Sequence, residues 1–313
     1  MLMGDKIRIS DRKWGYVSVI AATILFGIWN TFSKILLQDL DPLALSALVY
    51  CIAGIFLFSV RYSGINNKLM GMLDSKFEAE TFMTRKDYLI LLITAIAGSV
   101  IAPFIYLNGL KEITAVNASL LMNAEVIFII IIGIFFLNER FQRKEVYGLI
   151  LLLIGTIFLA INGDIRNFSV TQSFGTLLVI IAAFFWSIDT TMSKFLSNKR
   201  DLLGVSALKC SIGGLVLLII SLLLGLNLSI PINHIPYLLF IGLVSIGFSF
   251  VMIYYAIRKI GSTRTGSIFP FSSLFGAIFA FLILNEPFTF LQLLFGLLMI
   301  LGVYIIYKYQ IKD

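Results

Sequence analysis

Charged residues are scarce in this sequence of 313 residues: they make up 13% of the chain, whereas 59% of the residues are hydrophobic. A soluble domain averages about 25% charged residues. So few charges exclude an ordinary soluble enzyme or nucleic-acid-binding protein, although the net charge of +7 alone would suggest an acidic partner. The composition therefore predicts an integral membrane protein whose surroundings are the lipid bilayer.

Residues that build catalytic and metal sites are also few. The chain has one histidine, His234, and two cysteines, Cys51 and Cys210, which stand in separate apolar segments without metal-ligand or CxxC spacing. Walker A, GxGxxG and HExxH motifs and a Ser/His/Asp set are missing from the sequence. We expect a protein that is not an enzyme and uses neither a metal nor a cofactor.

Long apolar runs dominate the chain instead. A bilayer core of about 30 Å needs roughly 20 apolar helical residues. The windows that meet this need predict ten spanning helices near 14–36, 42–62, 87–109, 114–136, 145–161, 173–196, 203–225, 236–257, 264–284 and 289–307. Short polar joints separate most of them, so neighbouring helices should run antiparallel. The longer segment 63–86 is predicted to be a cytoplasmic loop carrying a short amphipathic helix.

The basic residues set the orientation of these helices. If the N-terminus is cytoplasmic, nearly all of the 24 lysines and arginines fall in cytoplasmic segments; the exceptions are Lys34, Lys111, Arg166 and Lys209. Cytoplasmic loops of membrane proteins carry such an excess of Lys and Arg. We therefore expect a multi-pass protein of the cytoplasmic membrane with both termini in the cytoplasm. The first apolar run has no small-residue cleavage site and is interpreted as a retained span.

The two halves of the chain resemble each other. Segment 20–36 aligns with 180–196 without a gap, and "FFLNERF" (135–141) matches "LILNEPF" (282–288). Each half, 14–162 and 172–309, holds five predicted spans, an odd number, so the second half should be inverted relative to the first. Inverted repeats around a central cavity are a recurrent design of secondary transporters. The fold class expected is an all-α membrane protein of two inverted five-helix repeats.

With its two tandem halves and the "LNE" at the end of each fourth helix, the sequence resembles the drug/metabolite transporter superfamily, specifically its EamA-type members. The resemblance covers about residues 15 to 307 and implies export or exchange of small metabolites such as amino acids. In one respect the chain departs from that family. Members often carry a proline midway along the fourth helix, where this chain reads "EVIF" beginning at Glu125.

Glu125 is the most unusual residue of the sequence, because it stands near the middle of an apolar helix. A charged carboxylate facing lipid at that depth is costly, so it must line a cavity, find a partner or take up a proton. We interpret it as a proton-titrating or cation-recognising group; a neutral, hydrogen-bonded Glu that fixes helix packing is the alternative. Its repeat mate is Ser272, so the internal symmetry does not account for it.

Further candidates for substrate binding or coupling lie on other helices. Trp29 and Trp186 belong to equivalent stripes of the first and sixth helices, and Asp189 is predicted at the depth of Lys209, with which it can pair. Snorkelling of Lys209 to the interface is the alternative. The remaining candidates are polar or aromatic residues of apolar helices: Asn30, Tyr106, Asn108, Asn123 and Tyr254. Pro103 and Pro270 are expected to free backbone carbonyls.

These features predict a secondary transporter of a small organic metabolite, an amino acid or related compound, working by alternating access in the direction of export. Proton coupling through Glu125 and uncoupled facilitation or exchange remain alternatives, as does a membrane sensor or structural subunit that does not transport. The expected partners are the substrate, the lipid bilayer and, in the coupled case, protons. No nucleic acid is expected, and the chain is either a monomer or a homodimer.

Overall fold

The computed structural model of the protein describes residues 9–63, 83–137, 143–160, 170–197 and 201–310. These residues are helical almost throughout. The helices are α1 (Ile9–Leu36), α2 (Pro42–Tyr62), α3 (85–112), α4 (115–137), α5 (Arg143–Ala160), α6 (Val170–Ser197), α7 (Leu202–Leu223), α8 (232–260), α9 (262–284) and α10 (Phe290–Gln310). Most of the predicted loop 63–86, and Asn138 and Glu139 of the first "LNE", lie outside the described residues.

Local sequence signals explain where several helices begin. Asp41 accepts a hydrogen bond from the Leu43 backbone N–H at 2.8 Å, and a proline occupies the first turn of α2. Asp201 caps α7 in the same way. Thr84 and Asp87 form a reciprocal capping box at the start of α3. Such caps satisfy N–H groups that the first helical turn leaves unpaired, and they fix the ends of the apolar rods.

Four helices are interrupted. A π-helical stretch, Ile96–Ile101, lies inside α3, and another, Phe240–Phe248, lies inside α8. A short 3₁₀ turn, Met122–Ala124, immediately precedes Glu125 in α4. The two parts of α9 meet at Pro270. Interruptions of this kind often accompany functional sites in helices, because they redirect side chains and release backbone carbonyls.

The outward surface of the bundle is strongly apolar. Large side chains such as Phe136, Leu223 and Ile157 are 78%, 82% and 61% exposed. A water-facing monomer rarely shows apolar surface on this scale, whereas lipid accepts it. Eight of the helices are long and apolar enough to cross a membrane; α5 is not among them, and α10 contributes a shorter apolar stretch, Phe290–Ile306. The all-helical membrane class is confirmed, while the ten spans remain a prediction.

Helices of the first half of the chain pack chiefly against helices of the second half. α2 lies along α7, and α5 lies along α10. α1 lies against α8 and α9, whereas α6 lies against α3 and α4. The core formed in this way is continuous and includes Trp29 and Tyr106.

Glycines allow two of these helix pairs to approach closely. A β-carbon on Gly54 of α2 would lie 2.9 Å from the backbone nitrogen of Ser211, and one on Gly214 of α7 would lie 2.5 Å from that of Cys51. Between α5 and α10, β-carbons on Gly148 and Gly302 would each lie 2.5 Å from the carbonyl oxygen of the other residue. Small residues at helix crossings give membrane helices close backbone packing where no hydrophobic effect drives association.

Candidate functional site

Three aromatic rings from three helices meet inside the bundle. Trp29 of α1 stacks on Tyr106 of α3, with ring centroids 5.0 Å apart. Trp186 of α6 packs against both, at 5.9 Å from Trp29 and 5.3 Å from Tyr106. Trp29 and Tyr106 are buried, so the rings fill the space between the helices themselves. We call these three residues the aromatic cluster.

The buried amide of Asn30 holds the aromatic cluster in place. Its Oδ1 accepts a hydrogen bond from the Tyr106 hydroxyl at 2.7 Å, and its Nδ2 donates to Ser119 Oγ at 2.8 Å. These bonds connect α1, α3 and α4 through polar groups that have no access to water. Buried polar groups that are fully paired fix one arrangement of the surrounding helices.

The π-helical stretch of α3 provides an additional acceptor. Trp186 Nε1 donates to the carbonyl oxygen of Gly98 at 3.0 Å, and the Tyr50 hydroxyl lies 3.4 Å from the same oxygen. Pro103, five residues later, has no N–H to donate to that carbonyl in the π-helical register. The carbonyl is therefore available to orient an indole from another helix, which agrees with the expectation that Pro103 frees backbone acceptors.

Asp189 and Lys209 form an ion pair between α6 and α7. Ser193, one turn after Asp189, donates to its Oδ1 at 2.9 Å and lies 3.2 Å from Lys209 Nζ. The side chains of Asp189 and Lys209 are only 16% and 14% exposed. The predicted pairing is thus present. Gly98 makes room for it, because any side chain there would collide with the Asp189 carboxylate.

Glu125 lies close to the ion pair but is bonded separately. Its Oε1 accepts a hydrogen bond of 2.6 Å from the Thr190 hydroxyl, and Thr190 directly follows Asp189 in α6. The Glu125 side chain is half-buried, and Thr190 is exposed at the surface of the bundle. The Glu125–Thr190 pair therefore lies where the packed interior meets the surface of the bundle.

The other predicted residues are placed less centrally. Asn123 Nδ2 donates to Ser273 Oγ at 2.7 Å, which connects α4 to α9 next to Pro270. Asn108 does not join the aromatic cluster: its Nδ2 donates to the carbonyl of Phe104 in its own helix at 2.8 Å. The side chain of Tyr254 lies outside the described residues.

One end of the bundle is closed by charged side chains that cap helix termini. Lys34 Nζ donates to the carbonyl oxygens of Leu110, Lys111 and Ile113 at 2.6, 3.0 and 2.8 Å, where α3 ends. Glu286 accepts from the backbone N–H of Val116, in the first turn of α4, at 3.0 Å. A cation at a helix C-terminus and an anion at an N-terminus are both favourable. Glu286, just after the end of α9, thus caps the start of α4.

Comparison with known proteins identifies the family. The sequence profile of the EamA-like transporter family matches residues 13–161 and, a second time, residues 173–308. The chain belongs to the EamA-like transporter family. The resemblance recognised in the sequence is confirmed, and the protein is a multi-pass membrane protein of a transporter family, for which a small-molecule substrate is implied.

Of three relatives of the chain, two are named as transporters. An uncharacterized transporter of Methanothermobacter thermautotrophicus is 49% identical over 300 residues, which cover 95% of this chain and 87% of the relative. The uncharacterized transporter YoaV of Bacillus subtilis is 25% identical over 293 residues, 92% and 94% of the two chains. A WAT1-related chloroplastic protein of Arabidopsis thaliana is 26% identical over 208 residues, 64% of this chain and 50% of its own.

A solved crystal structure shares the fold. It superposes with a TM-score of 0.65 over 96% of this chain and 99% of its own, at 17% identity. Similarity at that level of identity shows the architecture alone.

Sequence reasoning missed several residues of the EamA-like bundle that the structure brings to the site. Ser119 and Ser273 are the partners of Asn30 and Asn123. The Gly98 carbonyl and Tyr50 were not considered as polar groups of this region. Pro103 was the available signal for Gly98, since a proline inside an apolar helix shows which upstream carbonyls lose their donor. Small hydroxyl residues of apolar helices give no comparable signal.

Proposed function

We propose that the protein is a secondary carrier that moves a small organic metabolite, an amino acid or related compound, out of the cell across the cytoplasmic membrane by alternating access. The observation that supports this most directly is the group of ionisable side chains at membrane depth: Glu125 with Thr190, beside the Asp189–Lys209 ion pair. Ionisable residues inside membrane helices are expensive and are retained chiefly for substrate and ion pathways. The family is one of transporters, which agrees with this interpretation.

The alternating mechanism rests on two inverted halves, 14–162 and 172–309, with ten spans and both termini in the cytoplasm. The glycine contacts support this arrangement. Gly54 and Gly214 are equivalent in the two halves, as are Cys51 and Ser211, and each glycine contacts the mate of the other's partner. Reciprocal contacts of this type are what a two-fold relation between α2 and α7 produces. Two related halves that exchange roles supply equivalent inward-open and outward-open states.

Coupling to protons is assigned to Glu125. The described residues give it one hydrogen-bond donor, the Thr190 hydroxyl, and no ion-pair partner. A carboxylate in that position gains from taking up either a proton or a cationic group, because an unpaired charge at membrane depth is unfavourable. Movement of substrate in one direction can then be exchanged for a proton in the other.

Reconstitution of the purified protein into liposomes tests the proposal. We expect counterflow of labelled metabolites, stimulated by an imposed pH gradient. The variant Glu125→Gln should keep the fold and lose the dependence on the gradient. Glu112→Gln, which neutralises an exposed carboxylate at the end of α3, is the matched control and should behave as the wild type. If no solute of a broad metabolite panel moves, the carrier proposal is wrong and a sensor or structural role is favoured.

A further inference from the structure

The Asp189–Lys209 pair contains a primary ammonium group that the protein itself binds. The ammonium group of Lys209 lies between the Asp189 carboxylate and the Ser193 hydroxyl, so a carboxylate and a hydroxyl of one helix face bind a primary ammonium ion. Lys209 belongs to α7 and reaches this position across the helix interface. The side chain of Lys209 is an alkylammonium group. Its contacts show how a carboxylate and a hydroxyl of α6 bind such a group.

Glu125 and Thr190 form a second pair of the same composition. The carboxylate and the hydroxyl are 2.6 Å apart, and Thr190 adjoins Asp189 in the sequence. Lys209 is held by Asp189 and Ser193, and among the described residues no lysine or arginine forms an ion pair with Glu125. The first pair thus binds a cation supplied by the protein. The second pair has no such cation among the described residues, and it lies at the edge of the bundle.

The local charge balance favours a cation at Glu125. α6 contributes the Asp189 carboxylate and α7 contributes the Lys209 ammonium, and these two charges compensate each other. α5, which also packs near Glu125, carries charged residues only in its first turn, 143–145. With Glu125 ionised, the group of three carries a net charge of −1. This net negative charge would repel a substrate carboxylate, because the ammonium group of Lys209 is already paired with Asp189.

Aromatic and aliphatic side chains adjoin the second pair. Met122 and Phe128 are three residues before and after Glu125, so they flank it on α4. Phe128 packs edge-to-face on Phe184 of α6 with ring centroids 5.5 Å apart. Trp186 precedes Thr190 by one turn on the same face of α6. An ammonium group at Glu125 would therefore have apolar surface beside it for the rest of the molecule.

We propose that the substrate class is an organic amine: a molecule with a protonated amino group and an aromatic or aliphatic body, but without a carboxylate. This inference rests on the proposed transport function, and within it the inference selects a related amine in place of an amino acid. The ammonium group binds the Glu125 carboxylate and the Thr190 hydroxyl, and a proton competes with it for the same carboxylate. Binding of the amine at one face of the membrane releases the proton, and protonation at the other face releases the amine.

Three probes of one shape separate the charge classes: tryptamine carries only the ammonium group, tryptophan carries both charges, and indole-3-propionate carries only the carboxylate. Binding is measured from the thermal unfolding of the purified full-length protein, because a ligand that binds the folded state raises its stability. Counterflow into liposomes measures transport of the same probes. We expect tryptamine to stabilise the protein and to be transported, at least tenfold more effectively than either other probe.

The dependence on pH and the variants test the site itself. Tryptamine affinity should fall as the pH is lowered, because protonation of the carboxylate removes its charge while the amine stays protonated. Glu125→Gln should weaken tryptamine binding at least tenfold and abolish that pH dependence. Thr190→Val should weaken binding less, since it removes a hydroxyl but leaves the charge. Glu112→Gln is the control and should leave both binding and its pH dependence unchanged.

The outcomes distinguish this inference from the transport proposal. Transport of indole-3-propionate or tryptophan in preference to tryptamine would overturn the amine assignment while leaving the carrier function intact. Equal tryptamine binding by Glu125→Gln and the wild type would also overturn it, since the charge would then have no role. Binding of tryptamine that depends on Glu125, without movement of any solute, would support the amine site and contradict the carrier.

Discussion

Lys34 stabilises the junction between α1 and the end of α3, and its replacement by methionine should measure how much. Methionine keeps the length and the apolar stem of lysine, but it cannot donate hydrogen bonds. The carbonyls of Leu110, Lys111 and Ile113 would lose a shared donor that now lies 2.6 to 3.0 Å away. Leu110 and Ile113 are buried, so water replaces the lost donor poorly at those two positions.

The size of the effect follows from the bonds involved. A hydrogen bond to a charged group contributes about 1.5–3 kcal/mol to stability. The three bonds share one half-buried ammonium group, and the bond to Lys111 is exposed, so their contributions do not add. We therefore expect Lys34→Met to lower the free energy of unfolding by about 2–3 kcal/mol. For a chain of this size the midpoint of thermal unfolding should fall by roughly 5 °C.

Thermal unfolding of the purified protein in detergent is the assay, followed by intrinsic tryptophan fluorescence. Lys111→Met is the matched control, because Lys111 lies at the same end of the bundle and its side chain is exposed. The control should shift the midpoint by less than about 1 °C, as expected for an exposed surface substitution. Equal shifts for the two variants would refute the argument that the ammonium group of Lys34 caps α3.

Three further predictions concern the helix interfaces and the site. Gly54→Leu and Gly214→Leu should each destabilise the α2–α7 pair by about 1–3 kcal/mol through overpacking, seen as loss of monodisperse protein after extraction. Asp189→Asn and Lys209→Met should each reduce transport and stability by leaving the partner charge unpaired, and the double variant should be more stable than either single one. Trp186→Leu should reduce transport several-fold, measured by counterflow, because the ring no longer bonds the π-helical stretch of α3.

Separate outcomes contradict each of these predictions. If either glycine variant yields as much monodisperse protein as the wild type, the close approach of α2 and α7 does not contribute to stability. Normal turnover in both ion-pair variants would remove the Asp189–Lys209 pair from the mechanism. For Trp186, the variant Trp186→Phe retains a ring but has no N–H. Wild-type counterflow in this variant would show that the hydrogen bond to Gly98 has no role in transport.

The sequence predicted best those features that depend only on how far along its helix a residue lies. Apolar length predicted the bounds of α2, for example, which was expected at 42–62 and is found at Pro42–Tyr62. The pairing of Asp189 with Lys209 followed from equal distances to a short joint, measured by the rise of about 1.5 Å per residue. Depth needs no knowledge of how a helix is rotated about its axis.

The sequence did not predict how each helix is rotated about its axis, and therefore which side chains face the site. Tyr106 and Asn108 were both assigned to the site, but only Tyr106 reaches the aromatic cluster, while Asn108 bonds within α3. The π-helical stretch Ile96–Ile101 changes the direction of every side chain that follows it in α3, and an apolar stretch gives no sign of it in composition. The 3₁₀ turn before Glu125 has the same consequence in α4, so Thr190 was not predicted as its partner.

The packing of α1 against α8 and α9 has a consequence for biosynthesis. The ribosome makes α1 long before α8 and α9, the helices that cover it. Until then Gly27, which contacts α9, and Phe32, which contacts Tyr237 of α8, face lipid or a temporary neighbour. Insertion of the chain must therefore tolerate a long interval in which α1 lacks its partners from the second half. A chain cut between α5 and α6 should assemble only when both pieces are made in the same cell.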